Sequence, residues 1–119
     1  MGWLRNVLGT GSGVGPVEAR ELVAAGAMLL DVREPAEWDA GHVPGARHVP
    51  LGALPGHLGA LPRDRRVVVV CRSGHRSAQA TALLTRSGVD AVNLDGGMRA
   101  WAAADLPVER ADGRQGSVA

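Results

Sequence analysis

A chain of 119 residues holds one domain with a genuine core and is too short for two. Thirteen basic residues, all arginine, against twelve acidic ones leave a net charge of +1, so composition points neither to nucleic acid nor to a membrane surface as partner. Phe and Tyr are absent and cysteine occurs once, which excludes an internal disulfide and an all-cysteine metal site and leaves Val, Leu, Ala, Met and three Trp to build the core. The lone thiol fits a reducing compartment. The N-terminus, with one Arg and a short apolar patch, is too brief for a signal peptide or a membrane span, so a cytoplasmic location is expected.

In chain order, Trp3, Leu4, Val7 and Leu8 form a short apolar patch, followed by alternating glycines from Gly9 to Gly15. No strand precedes those glycines and their spacing does not match a dinucleotide loop, so residues 1–13 are read as an N-terminal segment with a flexible linker. Pro16 suits the first turn of a helix running to about Ala25, with Gly26 as its stop. Ala27 to Arg33 reads as a strand ending in charge, Glu34 to Trp38 as a helical turn, and Ala40 to Ala46 as a tight Gly/Pro loop. Arg47 to Val49 is a short strand, and Leu51 to Leu61 a weak helix interrupted by Pro55. A strand from Val67 to Val70 and a helix from Arg76 come next, the helix stopped by Gly88. Val89 to Leu94 is a further strand. Asp95-Gly96-Gly97 then turns into a helix carrying Met98, Trp101 and Ala102 on one face. The domain is thus expected over 14–109, with 110–119 a polar, disordered tail. Short apolar strands alternating with helices predict an α/β fold, a small parallel β-sheet with helices on both faces, whose ligand crevice lies outside the carboxyl ends of the strands.

The chain is organised around Val67-Val68-Val69-Val70-Cys71-Arg72-Ser73-Gly74-His75-Arg76-Ser77. Four β-branched residues predict a strand covered on both faces, and the only cysteine stands where it stops. A short loop and a helix N-terminus follow, aiming backbone N–H groups and the positive end of the helix dipole at whatever the loop encloses. Arg72, Arg76 and His75 add positive potential, so Cys71 is expected to ionise easily. The blander alternative, a small buried hydrophobe ending a core strand, requires neither the arginines nor the glycine.

Three stretches in register resemble the single-domain rhodaneses, a family of persulfide-forming sulfurtransferases. Leu30-Asp31-Val32-Arg33-Glu34 with Trp38-Asp39-Ala40-Gly41-His42-Val43-Pro44-Gly45-Ala46 is similar to the family's N-terminal signature, with Trp where Phe or Tyr is usual. Cys71 to Ser77 is similar to its active-site loop. Asn93-Leu94-Asp95-Gly96-Gly97 with Ala100-Trp101 resembles its C-terminal signature. The resemblance implies that Cys71 is the nucleophile carrying a persulfide sulfur and that Arg72, Ser73, Gly74, His75, Arg76 and Ser77 bind the donor, a small anion such as thiosulfate. With no second cysteine, the acceptor is external: cyanide, a small thiol or a protein cysteine. No cofactor is implied.

Two rivals stand beside this reading. One is a sulfur-relay or partner-binding module of the same family without efficient small-molecule turnover. The other is a phosphatase or arsenate reductase on the same fold, but such enzymes need Cys-x5-Arg, whereas Cys71 and Arg76 make Cys-x4-Arg, a smaller loop that suits sulfur better. Among the remaining polar residues, Asp31 and Arg33 are secondary site candidates, more simply read as a buried ion pair. His42 is expected to bond backbone, and His42, His48 and His57 lack metal-ligand spacing, so no metal site is expected. His75 is read as contributing to potential and substrate choice, the alternative being an inert solvent-facing side chain. Trp38 and Trp101 are read as core or crevice wall.

Overall fold

The computed structural model describes residues 13–119; the Trp3–Leu8 patch and most of the glycine-rich linker lie outside them. Helix α1 (Pro16–Ala24) starts on a proline, whose fixed φ suits a first turn. Strand β1 (Met28–Asp31) follows, then α2 (Pro35–Ala40) and the two-residue β2 (Arg47–His48). A 3-10 helix spans Leu51–Ala60, a tighter winding suited to a stretch holding Pro55 and three glycines. Strand β3 (Val67–Val70), helix α3 (His75–Arg86), strand β4 (Ala91–Asn93) and helix α4 (Gly97–Ala103) complete the order.

The four strands form one parallel sheet in the order β2-β1-β3-β4. All four valines of β3 are fully buried, and their side chains alternate between two cores. Val67 and Val69 join Leu30, Leu54, Ala80 and Leu84 under the 3-10 helix and α3. Val68 and Val70 join Leu29, Ala19, Met98 and Trp101 under α1 and α4. Helices therefore cover both faces, as the continuous apolar strands require. The chain leaves β1 for one edge and β3 for the other, so the order in which strands are added reverses between these two strands. Asp31 and Val70 pair at their carboxyl ends, which is where a parallel α/β sheet opens its crevice.

Two expectations are corrected. Ala102 is exposed; the seven-residue helix buries Gly97, Met98 and Trp101, and its side at Ala102 turns to solvent. The segment from Arg110, expected to be disordered, folds back as a hairpin. Arg110 N–H donates to the Arg114 carbonyl at 2.8 Å, and Glu109 pairs antiparallel with both Gln115 and His42. Ser117 N–H then reaches the Ala40 carbonyl at 2.9 Å, and Val118 packs on the α1/α4 core. The physical reason is turn chemistry: Asp112-Gly113 is a hairpin turn pair, with Asp112 Oδ1 accepting from Arg114 N–H at 3.0 Å. No described helix is long and apolar enough to cross a membrane.

Candidate active site

The site is built where β3 ends. Cys71 follows the last valine and is 1% exposed. Gly74 turns the chain with φ +117°, a left-handed conformation that favours glycine, and α3 starts at the next residue. Two groups close on the Cys71 sulfur: Gly74 N–H donates to Sγ at 3.0 Å and the buried Ser77 hydroxyl donates at 3.2 Å. Burial pushes the thiol pKa up. The Ser77 hydroxyl and the N–H groups of Ser77, Gly74 and Ser73 pull it down and prevail, so the net shift is downward. Hydrogen bonding from the loop and the first turn of α3, whose backbone part the sequence anticipated, is thus the leading favourable cause, and Arg76 is coupled to Cys71 by charge as well.

Helix α4 holds the loop from the other side. Met98 N–H donates to the Cys71 carbonyl at 2.8 Å and Arg99 N–H to the Arg72 carbonyl at 3.1 Å. Gly97, at φ +60°, lies so close beneath that a Cβ there would collide with both carbonyls. This is the local reason for the Asp95-Gly96-Gly97 turn. Asn93, at the end of β4, reaches the Gly74 carbonyl with its Nδ2 at 3.4 Å.

The two loop arginines are engaged. Arg72 is exposed, and its Nε donates to the main-chain oxygen of the last residue, Ala119, at 2.7 Å. Arg76 turns to α2, where Nη1 and Nη2 bond the two Glu37 carboxylate oxygens at 2.6 and 2.9 Å. That pairing, first among the causes, holds Glu37 down to a pKa of about 2. Ser73 and His75 are exposed, His75 opening α3. Glu37 escaped the sequence reading. The signal available was its place in Glu34-Pro35-Ala36-Glu37, a capping box that the structure contains, but nothing local says that α2 lies beside the loop.

Asp31 and Arg33 stand next to this site without opening onto it. Both are 0% exposed, and Arg33 Nη2 and Nε bond the Asp31 carboxylate at 2.7–3.0 Å. Arg33 also donates to the carbonyls of Glu37 and Gly41 at 3.3 and 2.8 Å, so the pair fastens α2 to the end of β1. His42 Nδ1 bonds the Trp38 carbonyl at 2.9 Å and His48 Nε2 the Arg33 carbonyl at 2.8 Å. Trp38 stacks on both rings, with centroids 3.7 and 4.7 Å apart. Among the described residues no cluster of His, Cys, Asp and Glu could hold a metal ion.

A four-stranded parallel α/β domain with a lone cysteine in a donor-lined strand-to-helix loop defines a cysteine-loop enzyme fold. Comparison with known proteins makes the class specific: residues 15–104 match the model of the rhodanese-like domain, and the chain belongs to that family of sulfurtransferases. A sulfurtransferase of Allochromatium vinosum is 44% identical over 87 residues, 72% of this chain and 81% of the relative. The thiosulfate sulfurtransferase GlpE of Stutzerimonas stutzeri is 37% identical over 87 residues, 72% of this chain and 80% of its own. The crystal structure of a rhodanese-related protein from Thermoplasma volcanium superposes with a TM-score of 0.77 at 31% identity, covering 81% of this chain and 95% of that one.

Proposed function

We propose that the protein is a thiosulfate sulfurtransferase working through a persulfide on Cys71. The observation that carries this reading is the pair of donors on the sulfur, Gly74 N–H at 3.0 Å and Ser77 hydroxyl at 3.2 Å. They favour the thiolate, and they go on to stabilise the anionic terminal sulfur of a persulfide in the same loop. The Cys71 thiolate attacks the outer sulfur of thiosulfate. A new S–S bond forms, the old one breaks, and sulfite leaves with its electron pair. In the second half, cyanide, a small thiol or a protein cysteine attacks the terminal sulfur and carries it off, and the Cys71 thiolate returns.

The loop residues Arg72, Ser73, Gly74, His75, Arg76 and Ser77 receive the donor, the N–H groups meeting its sulfonate oxygens. Two relatives named thiosulfate sulfurtransferase GlpE, at 37% and 35% identity, support this choice of donor. The single cysteine of the chain makes the acceptor external and suits a reducing, cytoplasmic setting. Four residues between Cys71 and Arg76, with the donors converging on the sulfur itself, leave too small a ring for a tetrahedral phosphoryl group in line with the thiolate.

Intact mass measurement after incubation with thiosulfate tests the reading. One added sulfur on the wild type, removed by cyanide with release of thiocyanate and absent from Cys71→Ser, is the expected result. Thiocyanate production by Cys71→Ser overturns the mechanism. A stable persulfide on a wild type that yields no thiocyanate assigns the domain to sulfur relay instead.

A further inference from the structure

The loop carries two arginines, yet the charge it presents to a donor is not the sum of the two. Arg76 is held in a two-bond ion pair by Glu37, with the two side chains 34% and 19% exposed. The carboxylate itself is fixed from several sides. Its Oε1 accepts from Glu34 N–H at 3.0 Å within the capping box, and its backbone carbonyl accepts from the buried Arg33 at 3.3 Å. A carboxylate so held stays ionised at any working pH, as its depressed pKa agrees. The Arg76 share of the loop's guanidinium charge is therefore cancelled before a donor arrives, while the backbone N–H dipoles around Cys71 are untouched.

We propose that Glu37 is a specificity-determining residue which, by neutralising Arg76, weakens the preference of the Cys71 loop for dianionic over monoanionic sulfur donors. The inference rests on the sulfurtransferase reading and adds to it the class of donor the loop accepts. Thiosulfate and methanethiosulfonate separate the two charges cleanly. Each offers Cys71 a terminal sulfur bonded to a sulfonyl sulfur. Attack by the thiolate forms the same persulfide and releases sulfite from one and methanesulfinate from the other. They differ by one unit of charge, so the ratio of their rate constants reads the charge of the loop. Because both are measured on one preparation, loss of folded protein cancels from the ratio.

The test measures second-order rate constants for persulfide formation by intact mass, under single-turnover conditions, with both donors. Glu37→Gln frees the Arg76 charge and is expected to raise the thiosulfate-to-methanethiosulfonate ratio about five-fold. Arg76→Gln leaves the Glu37 charge facing the loop and is expected to lower the ratio by a similar factor. Glu37→Asp keeps the charge and is expected to keep the ratio near wild type. Opposite movements in the two Gln variants distinguish charge control from a structural role, which moves both variants the same way. Ratios that stay put, or that shift in the same direction, overturn the proposal while leaving the persulfide chemistry standing. A wild type that forms no persulfide with either donor overturns the sulfurtransferase reading, and this proposal with it.

Discussion

The backbone N–H of Met98 donates to the carbonyl of Cys71 at 2.8 Å, so the proposed nucleophile is pinned by the first turn of α4. The sulfur takes its hydrogen bonds from the loop and α3 while the carbonyl gives up its lone pair to α4. The cysteine is thereby held between two helix starts. Such a contact needs close approach, and Gly97 provides it by having no side chain.

Gly97→Ala is therefore expected to cost about 2 kcal/mol or more in stability, from backbone strain and the collision with the Cys71 and Arg72 carbonyls. Persulfide formation is expected to slow about ten-fold in what remains folded, because the loop must shift to make room. Gly59→Ala, which meets open space in the 3-10 helix, is expected to change stability by no more than about 0.5 kcal/mol. Thermal melts and single-turnover rates on both variants check this.

Ser77→Ala removes the hydroxyl that donates to the thiolate. The pKa of Cys71 is lowered in the folded protein, and losing a donor to the anion moves it back up. The measurement is the rate of iodoacetamide alkylation against pH, and the expected outcome is a midpoint displaced to higher pH. An unchanged midpoint would assign the shift to the backbone N–H groups alone.

Much of this was legible in the residues because it is local. Strand, loop and helix around Cys71 lie within one short stretch, and Asp31 and Arg33 are two apart on the end of one strand. The α/β class followed from the same alternation of short apolar strands with helices. What could not be read were partners distant in sequence. Arg76 and Glu37 are separated by 39 positions, and only the adjacency of β1 and β3 brings α2 beside the loop. The tail misled for another reason: its polar composition masked the Asp112-Gly113 turn, and a hairpin is set by turn chemistry rather than by hydrophobicity.

Arg33→Met is expected to destabilise by roughly 3–5 kcal/mol, because it leaves the fully buried Asp31 carboxylate without its partner. Replacing both residues, Asp31→Leu with Arg33→Met, is expected to recover part of that loss. Recovery stays incomplete, since the Glu37 and Gly41 carbonyls also lose a donor. Denaturant titrations of the single and double variants measure the difference, and a single variant as stable as wild type would remove the pair from the account of how α2 is held.

Glu37 gives the acid side of the stability profile a definite sign. Its pKa falls from 4.5 to about 2 on folding, first through the hydrogen bond from Arg76, and burial opposes that fall only in part. A carboxyl group whose folded pKa is depressed stabilises the native state at pH above its unfolded value. That contribution is lost as pH drops from about 4.5 towards 2. Glu37→Gln cannot titrate, so the variant is expected to be less stable than wild type at neutral pH, and the gap is expected to close as the pH approaches 2. Urea midpoints measured at intervals across that window read the effect directly. A gap that stays constant with pH would mean that the stabilisation comes from the shape of the side chain and the capping box, not from the charge held against Arg76.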